Sequence, residues 1–265
     1  MSFLARSFIF DGIASEEFNL VIANIGNSNQ DSGVVGSELK IIEDRIPRRY
    51  RAIHYGTIGN EPLSFPIVFS VAKDNTCLDR YDIARVSAWL TCHKQYKKLV
   101  IDQTDLGSIY YNCIITGLKQ IEIGGKTVGF EAIITCDSPF AYRIVSDTII
   151  ECADSLTTTY HCLSNVNDYY WPDMIIKTSA AELTISNDTD GTTFTLSGMP
   201  SGQKTITING ESLIMESSDG TNLYDCWNVG MPKYSLRALR GYNQLTITGA
   251  CTITIKNEFP WNIGY

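Results

Sequence analysis

Histidine is scarce in this 265-residue chain: only His54, His93 and His161 occur, and no H-x-x-x-H or C-x-x-C spacing joins them to one another or to the eight cysteines. A zinc site therefore has no ligand pattern, and Cys92 and Cys162, which adjoin two of the histidines, read as ordinary packing or surface residues. A G-x-S-x-G nucleophile elbow is also missing. No window approaches the roughly 18 apolar residues that span a bilayer, and the opening MSFLARSF lacks the apolar stretch of a secretory signal. The expected protein is made and kept in a cytosol, without membrane insertion. In that reducing setting the cysteines at 77, 92, 113, 136, 152, 162, 226 and 251 read as small buried hydrophobes. Positive charge is short as well. Twenty-one Lys+Arg face 29 Asp+Glu, a net charge of -8 and the wrong sign for gripping phosphate backbones.

Two near-motifs dissolve on inspection. Gly124-Gly125-Lys126-Thr127 imitates the end of a P-loop, but the first glycine would fall on Gln120, and a strand pattern follows it where a helix is required. Asp188-Thr189-Asp190-Gly191 resembles part of a calcium loop, yet the closing Glu would fall on Ser197, so a turn between Thr-rich strands explains it. The acidic pairs Glu16-Glu17 and Glu43-Asp44 lie in turn-like segments, where solvated carboxylates are the default. The expected catalytic, cofactor-binding and metal-binding residues are accordingly none.

What is present is a β-rich pattern long enough for two domains with buried cores. A hydrophobic strand runs to Asp11-Gly12 and a second begins near Phe18; residues 24–62 form a long irregular excursion, and strands are expected at 63–71, 98–102, 108–123 and 126–136. A two-residue turn at Gly124-Gly125 would set Ile121 across from Val128 and Ile115 across from Ile134. One helix is expected from about Thr76 to Lys98, with Ile83, Val86 and Leu90 on one face, Trp89 beside them, and Lys94, Lys97 and Lys98 at its negative end. The composition turns to Thr, Ser, Asn and Gly after 142, which places a domain boundary near 142–155. Short strands are then expected at 174–178, 182–187, 192–197, 203–209, 212–216, 222–225 and 244–256. The last has apolar odd positions and threonine even ones, which fits a hairpin with a three-residue loop at 249–251 or one continuous strand.

Arg45, Arg48, Arg49 and Arg51 form the one dense basic cluster. It reads either as a solvated loop or as a bidentate grip on a neighbouring subunit's carboxylates. The 14 Tyr, 10 Phe and 4 Trp tilt the chain towards an assembly component, since Tyr and Arg are enriched at subunit contacts.

Four stretches, in order, resemble the distal tail proteins of siphophages: FIFDGIASEEFNL at 8–20, ARVSAWLTCHKQYKKLVIDQTDLGSIYYN at 84–112, GFEAIITCDSPFAY at 129–142, and NGESLIMESSDGTNLYDCW with the closing GYNQLTITGACTITIKN. The resemblance implies a mainly β protein of two domains. Residues 1–145 would be an N-terminal β-sandwich with one α-helix and a belt-like loop at about 24–62, and residues 146–265 a C-terminal galectin-like antiparallel β-sandwich. It also implies a non-enzymatic homo-hexameric ring at the virion tail tip, assembled in the host bacterial cytoplasm. The ring's partners would be the tail tube protein, the tail-associated hub protein and peripheral receptor-binding or baseplate proteins. On that template the Arg45–Arg51 cluster lies in the belt between subunits, and the acidic balance suits a lumen that DNA passes without specific binding. The alternative is a carbohydrate-binding module recognising a host cell-wall glycan through the C-terminal domain, with Trp227 the best candidate for a stacking or partner contact; a buried anchor is the rival reading of that residue.

Overall fold

The structure, a computed structural model, describes residues 5–25, 40–58, 61–72, 77–103, 109–229 and 235–263. Two compact units divide the chain, Met1–Tyr142 with Asn262–Tyr265, and Arg143–Trp261.

The first unit contains β1 (Ala5–Phe10), β2 (Ile13–Ala14), β3 (Leu20–Ile25), β4 (Lys40–Asp44), β5 (Ile53–Ile58), β6 (Ser64–Val71), α1 (Arg80–Thr91), β7 (Lys97–Gln103), β8 (Ile109–Ile123) and β9 (Lys126–Cys136), with β10 (Ala141–Ile144) at the boundary. An antiparallel sheet runs in the order β2-β1-β7-β8-β9-β6-β3. In a flat sheet β1 and β6 would lie about 19 Å apart, four strand spacings. Phe8 of β1 instead stacks on Phe69 of β6 with ring centroids 4.5 Å apart, so the sheet folds over on itself. Phe8, Phe10, Leu20, Ile67, Phe69, Leu99, Phe130 and Ile134 fill the fold.

The second strand starts at Leu20 and not at Phe18. A 3-10 turn, Ser15–Phe18, intervenes and turns the Phe18 ring onto Trp89 (4.5 Å between centroids). The helix is shorter than its sequence pattern. It starts at Arg80 because Asp79 caps it: Asp79 Oδ1 accepts from the backbone N–H groups of Tyr81 and Asp82, both at 2.8 Å, and Asp82 Oδ2 accepts from Asp79 N–H. Thr76 lies outside the described residues. The helix stops at Thr91, where the Thr91 hydroxyl donates to Ser87 O and the His93 ring to Trp89 O. Lys97 and Lys98 therefore belong to β7, where Lys97 meets Asp11 at 3.0 Å and Lys98 lies over the Tyr110 ring. Val86, Trp89 and Leu90 are the buried face of α1.

Gly124 and Gly125 both take positive φ and make the tight turn of a β8–β9 hairpin. Ile115 opposes Ile134, as the spacing predicts, but Ile121 opposes Gly129. One irregularity in each strand, between Ile115 and Gly117 and beside the Ile121–Glu122 step, shifts the register by one residue and then restores it.

The second unit contains β11 (Thr148–Cys152), β12 (Ser155–Cys162), β13 (Met174–Thr178), β14 (Glu182–Asn187), β15 (Thr192–Ser197), β16 (Lys204–Ile208), β17 (Met215–Ser217), β18 (Gly241–Thr248), β19 (Cys251–Ile255) and β20 (Glu258–Trp261). It is an antiparallel sandwich of one five-stranded sheet, β11-β19-β13-β16-β17, and one four-stranded sheet, β12-β18-β14-β15. The segment predicted at 222–225 is a turn, β11 falls in the stretch 142–155 read from sequence as a boundary, and β12 begins at its end. Between β18 and β19 there is no hairpin. β18 pairs with β12 and β14 in one sheet, and β19 with β11 and β13 in the other. The chain passes between the layers at Gly249, whose φ is +109° and whose Cβ, were there one, would stand 2.5 Å from Glu182 O. The odd-position alternation survives the crossing because Leu245, Ile247, Cys251, Ile253 and Ile255 all point into the same core.

Among the described residues no helix is long and apolar enough to cross a membrane.

Candidate assembly surface

Residues 24–62, read from sequence as irregular, contain a two-stranded ribbon. β4 and β5 pair from Lys40↔Ile58 to Asp44↔Ile53, with a register shift between Ile42 and Glu43, and form a sheet of their own. Strand propensity explains it, since KIIED and IHYGTI are rich in β-branched and aromatic residues. Among the described residues nothing buries them: Ile41, Ile42, Ile46, Ile53 and Tyr55 are exposed, and Tyr50 fully so. These apolar residues complete a surface of which sequence reasoning singled out the arginines alone.

The arginines sit at the tip. Arg49 N–H donates to Ile46 O at 3.1 Å, and Arg48 adopts φ +70°, closing the turn. Arg45, just past the end of β4, bonds Glu43 of that strand at 3.2 Å, an exposed pair worth at most about 1 kcal/mol. Among the described residues no carboxylate pairs with Arg48, Arg49 or Arg51. Together with Ile46, Tyr50, Ala52 and Ile53 they line an open concavity of about 540 Å³. The four sequence-predicted arginines are thus brought together on one exposed ribbon tip, beside a strip of uncovered isoleucine and tyrosine.

Trp227 takes the buried position that the rival reading gave it. It is 2% exposed, bridges Leu196 of β15, and lies with its ring 6.0 Å from both Phe194 and Tyr224. A ring sunk in the sandwich core offers no platform to a sugar, and its role is packing.

The near-motifs resolve as structure. Asp188 accepts from the Thr246 hydroxyl at 2.6 Å, and Asp190 from Thr192 and from Arg237 Nε at 2.5 Å. Burial works to raise the Asp190 carboxyl, and the bonds from Thr192 and Arg237 outweigh it and hold it below the usual carboxylate range. Among the described residues no group of His, Cys, Asp and Glu is placed to hold a metal ion. Cys113, Cys136, Cys152, Cys162 and Cys251 are buried free thiols, whereas Cys77 and Cys92 are exposed.

The described residues thus form a folded-over β unit with a separate two-stranded ribbon, and an antiparallel sandwich. The chain belongs to the phage tail proteins: residues 3–138 match the phage tail protein N-terminal domain and residues 140–257 the phage tail C-terminal domain. In fold it is similar to the SPP1 Dit protein (gp 19.1), described as a paradigm of the hub adsorption apparatus in phages infecting Gram-positive bacteria. That likeness has a TM-score of 0.71 at 13% identity and covers 96% of this chain and 98% of that one. A chain of the phage p2 baseplate in its activated conformation with Sr is similar too, with a TM-score of 0.54 at 12% identity over 95% and 97% of the two chains. The same baseplate with Ca gives 0.55 at 9% identity over 96% and 98%. Among curated proteins no sequence match was found.

Proposed function

We propose that this protein is a non-enzymatic distal tail subunit whose six copies close into a ring at the virion tail tip. The ring joins the tail tube to the tail-associated hub protein, with receptor-binding or baseplate proteins at its periphery. The observation that carries this reading is the exposed ribbon Lys40–Ile58. A two-stranded ribbon alone is at best marginally stable in water, and its uncovered isoleucines and tyrosines call for a partner surface. A neighbouring copy supplies one, because a chain of net charge -8 offers carboxylates to Arg48, Arg49 and Arg51. Head-to-tail contacts of this kind generate a ring when the rotation closes, and each stable contact should bury more than about 1,000 Å². The acidic balance suits a lumen through which DNA slides unbound, and assembly takes place in the host cytoplasm.

Electron microscopy and light scattering on the purified chain, alone and co-expressed with the tube subunit, test the reading. Rings of six are expected. The triple variant R48E/R49E/R51E should convert them to monomers that keep the wild-type far-UV circular dichroism, because the reversed charges sit on exposed side chains. Wild-type monomers under both conditions, or a single copy in isolated particles, would overturn it. The glycan reading, deprived of Trp227, has no observation in its favour.

A further inference from the structure

Two cysteine pairs face each other across neighbouring strands, Cys113 with Cys136 between β8 and β9, and Cys152 with Cys251 between β11 and β19. All four are free thiols. The pairs differ in access. Cys113 and Cys136 are sealed in the first unit at 0% and 1% exposure, while Cys152 and Cys251 are at 6% and 7% and β11 is the edge strand of its sheet.

The ladder gives the geometry of the second pair. Gly249 N–H donates to Asp154 O at 2.7 Å, two steps along the same antiparallel pairing. Cys152 and Cys251 therefore occupy a hydrogen-bonded pair position, for which Cα atoms stand about 5.5 Å apart, inside the roughly 4.4–6.8 Å over which a disulfide closes. The Cys152 thiol donates to Ile247 O at 3.7 Å, and both side chains point into the same core.

We propose that Cys152 and Cys251 are a redox-convertible cross-link site, reduced when the protein is made and closed to a disulfide by a small-molecule disulfide in an oxidising medium. The Cys251 thiolate attacks one sulfur of the small disulfide and expels a thiolate, which takes up a proton. Cys152, deprotonated in turn, attacks the Cys251 sulfur of the mixed disulfide and expels the second thiolate. Two cysteines are oxidised and one small disulfide is reduced to two thiols. Burial pushes the Cys251 thiol up to about 11, with Cys152 adding to the rise, so closure is slow at neutral pH and accelerates as pH increases. For a tail-tip subunit, and resting on the function proposed above, the clamp on edge strand β11 sets only after release from the host.

The test uses the full chain in a Cys77→Ser, Cys92→Ser background, which removes the exposed thiols. It is incubated with oxidised glutathione at rising pH, alkylated and mapped by mass spectrometry. A Cys152–Cys251 peptide, the loss of two alkylatable thiols and a raised melting temperature are expected. Cys251→Ser and Cys152→Ser should each abolish the link and the shift, and Cys113→Ser should abolish neither. Persistently alkylatable Cys152 and Cys251, or a link formed instead between Cys113 and Cys136, would sink the proposal. Chains that link but never form rings would overturn only the functional reading, and rings that never link only this one.

Discussion

Trp89→Ala is expected to destabilise the N-terminal unit by about 3–5 kcal/mol, the usual cost of truncating a buried aromatic. The ring stands within a column of four. Phe18 lies 4.5 Å away on one side with an interplanar angle of 8°, and Phe8 5.5 Å away on the other at 11°, with Phe69 stacked on Phe8 in turn. Arg85 is poised over Phe18 at the end of the column. The indole N–H also donates to Phe10 O at 3.1 Å, so truncation leaves a cavity and a buried carbonyl without its donor. Because whole domains hold only about 5–15 kcal/mol, the loss should be visible as a large drop in the urea midpoint. Trp89→Phe, which keeps most of the packing and loses the N–H, should cost closer to about 1 kcal/mol. Equal losses for the two variants would mean that the hydrogen bond, and not the column, holds the unit together.

The largest effect in the second unit is expected at Asn243, where no cavity is involved. Asn243 and Asn187 are fully buried side by side. Asn243 Oδ1 accepts from Leu239 N–H at 2.8 Å and from Asn187 Nδ2 at 3.0 Å, while its Nδ2 donates to Leu239 O and Gly241 O. Asn187 Nδ2 donates also to Arg237 O, and its Oδ1 accepts from Thr189 N–H. Asn243→Leu preserves volume and orphans several of these groups, each costing about 1–3 kcal/mol when left unsatisfied. The total should therefore reach at least about 2 kcal/mol in guanidinium unfolding. A neutral result would show that water or a loop shift satisfies the abandoned amides.

How far these features were legible in the sequence depended on the range of the interaction. Short-period patterns came through: β13, β14 and β15 fall where alternation and turn residues place them, and Ile115 opposes Ile134. Features decided by competition with distant groups did not. Nothing local tells that Asp79 outcompetes Thr76 as the helix start, or that the Lys97–Lys98 segment pairs with β8 in place of extending α1. Alternation from 245 to 255 records which side chains point inward, and it is silent on which sheet receives them. The arginine tip of the ribbon was legible as a cluster. Its isoleucines were not singled out, because in sequence an exposed strand and a buried one look alike. Trp227 marks the converse limit, since a lone tryptophan carries no local sign of whether it faces water.

The passage of β18 into β19 through Gly249 has a further consequence. One continuous run of backbone belongs to both layers of the C-terminal sandwich, so neither layer can fray, slide or peel from its partner independently. Opening β12 from β18 drags on β11 and β13 through two residues of chain, and the sandwich should come apart as a single cooperative block, a useful property in any component that must stay whole under a pull.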